Sequence, residues 1–329
     1  MNKITYTNKP VVKDWMSDGE KEFRGSIEDF IFEAVQQNST LFSEEGMQVA
    51  FFQEGVASVV GLLTQKDKKY IFKTVFKPLR AEIEAAVFET WSKENIETPY
   101  VYAEGSISGF TYFIMEYVET PTYLEMITEH PERKMEILES TARLFFRIHE
   151  VKVSGFGPLK IIDGELQGSI GSLEEYLNTF TSIKLPRQIS SELMDFCQAT
   201  FLKHSDDAAT IGHFDFGPHH IFSGPPPIVF DPDPEATLPA MDLGLFLLRE
   251  VYRPEDLNEN NRLIFKEYIK NLKEPINIDL LASALIFQTI KKAQSLLDRP
   301  DERRVQRAEH MLDQISTLDK TKEYLQMYL

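Results

Sequence analysis

Residues 211–248 read IGHFDFGPHHIFSGPPPIVFDPDPEATLPAMDLGLFLL and hold most of the chemically suggestive groups of the chain. An apolar segment leads to the triplet 213–215, His-Phe-Asp, and His220 follows five residues after the aspartate. A turn rich in Gly and Pro then leads to a short apolar strand that ends at Asp231. This β-loop-β arrangement directs the two aspartates toward one mouth, where a divalent cation would offset their mutual repulsion.

The pattern resembles the catalytic and metal loops of the aminoglycoside phosphotransferase and choline kinase-like family, whose members share the protein-kinase fold. A further match is Asp242, followed by Leu and Gly, at the start of an apolar helix. The resemblance implies that Asp215 is the catalytic base and that His213 belongs to the same catalytic motif. It also implies that Asp231 holds Mg²⁺ on the nucleotide phosphates, with His220 where a second metal ligand, normally asparagine, stands.

Several residues of this stretch also have plainer interpretations. His213 either takes part in catalysis or braces the loop through hydrogen bonds. Asp242 is either a helix N-cap or, as the resemblance implies, a support for the catalytic loop. Asp233 and Glu235 are expected to be solvated turn residues, and Asp233 stays open as an extra metal ligand.

A lysine and a glutamate upstream are predicted to form an inward-facing pair. A two-residue period predicts strands over residues 47–52, 59–64 and 70–76. In the third strand Lys73 shares a face with apolar residues, so it needs a carboxylate or phosphate partner. Glu84 lies on the apolar face of the helix predicted over residues 80–93. The resemblance implies that such a pair holds the α- and β-phosphates. Two alternatives stay open: Lys77 in place of Lys73, and an extended Lys73 beside a rim glutamate.

The adenine and phosphate contacts are assigned by resemblance alone. Gly55 lies in the turn after the first strand, which would cover the phosphates through backbone N–H groups, although a plain hairpin turn fits equally well. Met115 would be the gatekeeper, and Glu116, Tyr117 and Val118 the hinge that binds the base of ATP or GTP; an edge strand is the alternative. The chain has no GxxxxGK[ST] and no GxGxxG motif, which disfavours P-loop and Rossmann nucleotide sites.

These features predict an α+β, protein-kinase-like fold with two lobes. The expected parts are an N-terminal helical extension (1–40), a nucleotide-binding lobe (41–118) with a small antiparallel sheet and one helix, and a larger, mostly helical lobe (119–329). Residues 105–109 are expected to be a turn, and residues 154–171 a turn and loop. Further helices are expected over residues 26–37, 135–149, 173–180, 189–203, 238–252, 254–272, 278–297 and 301–329.

Composition sets outer limits on function. The 329 residues include 42% hydrophobic and 12% aromatic residues, enough for sizeable cores. The net charge is −17, and no basic patch of the kind that binds nucleic acid is seen. An acidic surface suits the cytoplasm and would gather cationic ligands. The single cysteine, Cys197, excludes an intrachain disulfide framework and is expected to be buried. No apolar run reaches transmembrane length and no signal peptide is seen, so no membrane association is expected.

Two departures from the family pattern matter. Phe214 stands where a glycine is usual, and the imidazole of His220 suits zinc or manganese better than magnesium.

The leading hypothesis is a kinase that transfers the γ-phosphoryl group of ATP or GTP to a hydroxyl of a small acceptor. An aminoglycoside or an amino-alcohol or sugar metabolite would serve as acceptor. The alternative is a nucleotide-binding pseudokinase with a regulatory or scaffold role. A third hypothesis is a metal hydrolase, with ligands from His213, Asp215, His219, His220 and Asp231. The oligomeric state stays open.

Overall fold

The computed structural model describes residues 4–43, 45–53, 57–183, 185, 189–252, 259–298, 302–315 and 317–329. The chain divides into two compact units, Met1–Thr120 and Pro121–Leu329. Gly55, expected to help cover the phosphates, lies outside the described residues. The first unit is built on a β-sheet, and helices dominate the second.

The sheet of the first unit has the strand order β1-β2-β3-β4-β6-β5. Its strands are β1 Thr5–Tyr6, β2 Met47–Phe51, β3 Val59–Gln65, β4 Lys68–Thr74, β5 Val101–Ile107 and β6 Phe110–Glu116. From β2 to β5 the neighbours are antiparallel, as expected, but β1 runs parallel to β2. The short β1 comes from the N-terminal extension, which therefore contributes to the sheet.

Three helices of the first unit are α1 Asp18–Gly25, α2 Ile27–Gln37 and α3 Arg80–Lys93. Helix α1 was not predicted from the sequence, and it begins where the Ser17 hydroxyl accepts a hydrogen bond from the Glu20 amide at 3.2 Å. Ser26 lies between α1 and α2, and its hydroxyl donates to the Phe23 carbonyl at the end of α1 and makes no capping hydrogen bond to α2. Phe23 of α1 and Phe30 of α2 pack into the hydrophobic core that lies against the sheet.

Gly105 was expected in a turn but lies inside β5, and the turn itself is at Ser108-Gly109. A Cβ on Gly105 would come 2.6 Å from the Tyr112 hydroxyl. The glycine therefore marks a close approach between neighbouring strands rather than a reversal of the chain.

The second unit contains helices that surround one long, buried helix. They are α4 Tyr123–Glu129, α5 Lys134–Ile148, α6 Leu173–Thr181, α7 Ser191–Leu202, α8 Pro239–Tyr252, α9 Asn260–Ile269, α10 Ile278–Leu297, α11 Glu302–Gln314 and α12 Leu318–Gln326. Helix α10 is the buried one and packs against α7, α8, α11 and α12. The single helix expected over residues 301–329 is two helices, because the Thr317 hydroxyl caps a new start by accepting from the Lys320 amide. Within the described residues no helix is long and apolar enough to cross a membrane.

A five-stranded sheet of the described residues carries the candidate loops of the second unit, in the order β7-β10-β13-β8-β9. Its strands are β7 Lys152–Val153, β8 Phe156–Ile162, β9 Glu165–Ile170, β10 Ala209–Gly212 and β13 Glu235–Thr237. In the sequence between β10 and β13, a separate two-stranded hairpin forms from β11 Ile221–Phe222 and β12 Ile228–Val229. The turn and loop expected over residues 154–171 were wrong. Strands β8 and β9 form a hairpin around Asp163 and Gly164, both with positive φ, as a two-residue Asp-Gly turn requires.

Candidate active site

A buried carboxylate holds the loop that follows β10. Asp242, in the first turn of α8, accepts hydrogen bonds from the backbone amides of His213 at 2.6 Å and Phe214 at 3.0 Å. The ring of His149 donates to the same carboxylate at 3.1 Å, and its other nitrogen lies 2.9 Å from the Tyr268 hydroxyl. Helix α8 begins before Asp242, so the N-cap interpretation is wrong. The carboxylate instead fixes the backbone of the loop.

His213 ties this loop to the end of β12. Its Nε2–H donates to the Phe230 carbonyl at 3.1 Å, and its Nδ1 accepts from the Asp215 amide at 3.2 Å. The side chain is fully buried, and burial sets the pKa of His213 well below 6.5, so the ring is neutral. Both ring nitrogens are engaged with backbone groups. This geometry favours the brace interpretation of His213 and disfavours a metal-hydrolase ligand set that includes it.

Phe214 adopts a left-handed backbone conformation, with φ of +57°. A glycine would adopt it without strain, and a bulky side chain pays about 1–2 kcal/mol. The phenyl ring is buried against Gly212, where an added Cβ would lie 2.6 Å from it. Burial of a phenyl ring is worth about 1.5–3 kcal/mol and offsets the backbone strain. Phe214, which stands where the family pattern has glycine, is therefore compatible with the conformation of this loop.

Asp215 presents a carboxylate that is 46% exposed, and it contacts the guanidinium of Arg249. The same guanidinium donates to the Phe216 carbonyl at 2.9 Å. Arg249 was not predicted to belong to the site, although the sequence held a signal for it. Arg249 lies seven residues after Asp242, two turns along the same face of α8.

His220 lies between the two loop aspartates. Its Nδ1–H donates to the Asp215 backbone carbonyl at 2.7 Å, and its Nε2 is 3.5 Å from Oδ2 of Asp231. The imidazole is 12% exposed, whereas the Asp231 carboxylate is 47% exposed. Asp231 follows β12 with φ of +54°, a conformation that aspartate tolerates. The structure thus brings together the predicted base and both predicted metal ligands.

His219 joins this group. Ligand atoms of Asp215, His219 and His220 all lie within 4.8 Å of one another, and each of the three side chains is partly buried. The set differs from the predicted pair of His220 and Asp231, because it combines two imidazoles with the carboxylate assigned as the base.

Asp233 and Glu235 differ in their exposure to solvent. Asp233 is exposed, as expected, and its backbone amide donates to the His213 carbonyl at 2.8 Å. The expectation that Glu235 is a solvated turn residue is wrong. Glu235 is 7% exposed in β13, between β8 and β10, and it pairs with Lys291 of α10.

In the first unit a lysine and a glutamate form a buried ion pair. Nζ of Lys73, in β4, lies 2.6 Å from Oε1 of Glu84, in α3, and the side chains are 5% and 2% exposed. Lys77 lies beyond the end of β4 and is exposed. Lys77 therefore does not replace Lys73 as the inward-facing lysine. The alternative of an extended Lys73 beside a rim glutamate is also wrong, because Glu84 is buried.

The predicted hinge follows β6, an inner strand between β4 and β5, so the edge-strand alternative is wrong for residues 110–116. Met115 is buried, and the backbone amide of Glu116 donates to the Tyr100 carbonyl at 2.8 Å. Tyr117 and Val118 are partly buried. Lys69 lies over the Tyr117 ring, 5.1 Å from its centroid.

Comparison with known proteins identifies the fold. No protein-family model and no curated protein matches the sequence. The structure is similar to that of the aminoglycoside phosphotransferase APH(4)-Ia, with a TM-score of 0.63 and 13% identity over 89% of this chain and 98% of that chain. The chain has the fold of the aminoglycoside phosphotransferases. The α+β, kinase-like fold expected from the sequence is confirmed.

Two other solved structures agree with this assignment of the fold. One, from Ralstonia eutropha, is described as a candidate aminoglycoside phosphotransferase, with a TM-score of 0.65 and 15% identity over 91% of this chain and 98% of that one. The other, from Haemophilus somnus, is described as a candidate fructosamine-3-kinase, with a TM-score of 0.56 and 12% identity over 87% and 96%. At these identities the similarity establishes the fold alone.

Proposed function

We propose that this protein is a phosphotransferase that moves the γ-phosphoryl group of ATP or GTP to a hydroxyl group of a small molecule. The fold supports this proposal, because solved neighbours with the same fold are aminoglycoside phosphotransferases. Complexes of APH(4)-Ia variants contain hygromycin B together with ADP or AMP-PNP. A nucleotide and a hydroxyl-bearing acceptor are the corresponding ligands proposed here.

The observation that carries the proposal is the buried pair of Lys73 and Glu84, 2.6 Å apart. Replacing a buried ion pair by apolar residues is often neutral or stabilising, so stability alone is a weak reason to keep one. In kinase-type enzymes a lysine held by a glutamate binds nucleotide phosphates. We assign Lys73 to the α- and β-phosphates, with Met115 and residues 116–118 beside the base.

The residues of the second unit fit a nucleotide-bound magnesium ion in part. The exposed carboxylate of Asp231 is a hard oxygen ligand of the kind magnesium prefers. His220 offers nitrogen, which suits softer ions, so we assign Asp231 as the main ligand and His220 as the weaker one. When bound, the ion neutralises charge on the phosphate oxygens.

Asp215 is the proposed base. Its carboxylate would accept the proton of the acceptor hydroxyl while the hydroxyl oxygen bonds to the γ-phosphorus and the bond to the β-phosphate oxygen breaks. General base catalysis of this kind contributes about 10²–10⁴ to the rate. Asp242 and His213 would position the base by holding the backbone on either side of it.

An acceptor with a positive charge suits this chain best. The net charge of −17 favours the approach of cations. We therefore propose an amine-bearing hydroxyl compound as acceptor: an aminoglycoside, or an amino-alcohol or amino-sugar metabolite.

A nucleotide-binding pseudokinase is the second candidate, and one observation favours it. The guanidinium of Arg249 contacts the carboxylate of Asp215, which must accept a proton for transfer to occur. A protein that only binds nucleotide would tolerate both this contact and His220 in place of a metal-binding asparagine.

A two-stage experiment tests the proposal. Thermal-shift measurements with ATP and GTP, each with MgCl₂, test binding, because a ligand that binds only the folded protein raises its melting temperature. Transfer of radiolabel from [γ-³²P]ATP to a panel of aminoglycosides, amino alcohols and sugars then tests chemistry. The Asp215→Asn variant is the control, and we expect it to bind nucleotide without transfer. Nucleotide binding without transfer to any acceptor would favour the pseudokinase, and no nucleotide binding would refute both.

A further inference from the structure

We infer that Asp215, His219 and His220 form a binding site for a zinc-class divalent ion, and that this ion inhibits phosphotransfer by occupying the catalytic carboxylate. The binding site is argued from geometry alone, whereas its inhibitory effect rests on the function proposed above. This site shares His220 with the proposed magnesium site but takes its carboxylate from Asp215 and not from Asp231, whose Oδ2 lies 3.5 Å from Nε2 of His220.

The donor atoms are close enough for one ion. They lie within 4.8 Å of one another. Ligands about 2.0–2.1 Å from a tetrahedral zinc ion are roughly 3.4 Å apart, so small side-chain rotations would complete the site. The rings of His219 and His220 are already adjacent, with centroids 4.1 Å apart.

Hydrogen bonds outside the donor set already orient two of the three ligands. Nδ1–H of His220 donates to the Asp215 backbone carbonyl at 2.7 Å, which leaves Nε2 as the nitrogen with a lone pair. Ligating histidines commonly donate their other ring N–H to a carbonyl in this way. Arg249 contacts Oδ1 of Asp215, while Oδ2 faces the His220 ring, 3.7 Å from its Nδ1. The guanidinium therefore orients the carboxylate and leaves one oxygen on the histidine side.

A glycine holds the third ligand in place. A Cβ on Gly217 would come 2.7 Å from Cε1 and 2.8 Å from Nδ1 of His219, so the ring lies directly against the backbone here. Gly217→Ala would displace the imidazole without removing a donor atom. This gives a variant that tests the geometry of the site rather than its composition.

The donor set indicates the class of ion. Imidazole nitrogens suit zinc, nickel, copper and iron, whereas magnesium prefers oxygen ligands. Two histidines and one carboxylate leave a fourth position open for water, as in catalytic zinc sites. A bound ion would hold the Asp215 oxygen that faces the histidines, and the carboxylate could then no longer accept the acceptor's proton.

Cobalt(II) is the spectroscopic probe for this site. Metal-free protein is titrated with CoCl₂ without nucleotide or acceptor, and the visible bands of tetrahedral cobalt are recorded; ZnCl₂ then displaces the cobalt. We expect one equivalent to bind, and we expect His219→Ala and Gly217→Ala to weaken binding at least about tenfold. The matched control is His204→Ala, which removes a histidine from a surface pair with Asp207 at 3.0 Å and should leave binding unchanged.

The inhibitory effect is measured separately. Each variant's transfer rate in MgCl₂ with added ZnCl₂ is divided by its own rate without zinc, and we expect a drop of at least about tenfold for wild type but not for His219→Ala. Circular dichroism verifies that each variant is folded. The inference is overturned if wild type binds no cobalt or zinc, if His219→Ala and Gly217→Ala both bind as wild type does, or if bound zinc leaves transfer unchanged. Wild-type protein that binds cobalt but transfers no phosphoryl group even without zinc would refute the proposed function alone.

Discussion

The ammonium group of Lys73 lies 2.6 Å from a carboxylate oxygen of Glu84, and both side chains are almost completely buried. We predict that Lys73→Met or Glu84→Leu alone costs about 3–5 kcal/mol in the free energy of unfolding, because each leaves a buried charge without its main counter-charge. The double variant should regain most of that loss. Phosphotransfer should be absent in all three, because Lys73 is needed at the phosphates.

Urea unfolding gives the stabilities, and radiolabel transfer gives the activity. Lys93→Met is the control, because Lys93 pairs with Glu89 on the surface and should change stability by no more than about 1 kcal/mol. A double variant that recovered phosphotransfer together with stability would show that the pair has a structural role only.

The carboxylate of Asp242 is the support on which the candidate catalytic loop depends. Asp242→Ala would leave the buried amides of His213 and Phe214 without an acceptor, at about 1–3 kcal/mol each. We expect a total loss of about 3–5 kcal/mol in the free energy of unfolding, and a smaller loss for Asp242→Asn, which keeps one acceptor oxygen. Urea unfolding checks this, with the exposed Asp195→Ala expected to stay within about 0.5 kcal/mol of wild type. Equal losses in Asp242→Ala and Asp195→Ala would contradict the support role.

Arg249 is predicted to be a positioning residue that orients Asp215. Its guanidinium contacts that carboxylate and also donates to the Phe216 carbonyl at 2.9 Å. Arg249→Gln should lower kcat about tenfold to a hundredfold and leave KM for the nucleotide unchanged, because the base loses its alignment. Arg249→Lys should not restore kcat, since a lysine offers one point charge and not a planar fork.

Steady-state kinetics against nucleotide separate these effects on kcat and KM. The surface variant Arg143→Gln, which disrupts an exposed pair with Glu139, serves as the control and should behave as wild type. Higher activity in Arg249→Gln would show instead that the guanidinium restrains the base, as the pseudokinase alternative supposes.

Periodicity predicted the elements with strong apolar patterns. Helices α3 and α10 lie where the sequence placed them, and the inward directions of Lys73 and Glu84 followed from strand and helix periods. The hairpin of β8 and β9 was missed because its residues are mixed in polarity, although the Asp-Gly turn at 163–164 was a usable signal.

Contacts between residues that are distant in the sequence could not be predicted from local sequence patterns. Nothing local to Glu235 indicates that β8 and β10 will bury it beside Lys291, because burial depends on strands distant in sequence. Arg249 likewise reaches Asp215 only after α8 has packed against the loop. The role of Asp242 could be expected only by resemblance, because an aspartate at a helix start is equally typical of an N-cap.

Cys197 provides a test of the core of the second unit. The thiol is buried in α7, and burial raises its pKa to about 11 from an ordinary value near 8.5. Disulfide exchange requires the thiolate, so at pH 8 we expect DTNB to label the folded protein at least about a hundredfold more slowly than the urea-unfolded protein. Rapid labelling of the folded protein would show that the thiol is not buried.

The same pKa shift gives a pH dependence of stability. The raised pKa favours the neutral thiol in the folded state, so the contribution is complete below about pH 8.5 and is lost as the pH rises toward 11. In that window the unfolded chain loses its thiol proton first, which lowers the free energy of unfolding by up to about 1.4 kcal/mol per pH unit. Cys197→Ala cannot titrate, so its stability should fall less steeply between pH 8.5 and 10.5 in urea unfolding. Parallel pH profiles for the two proteins would mean that the thiol ionises equally in both states, and therefore that it is not buried.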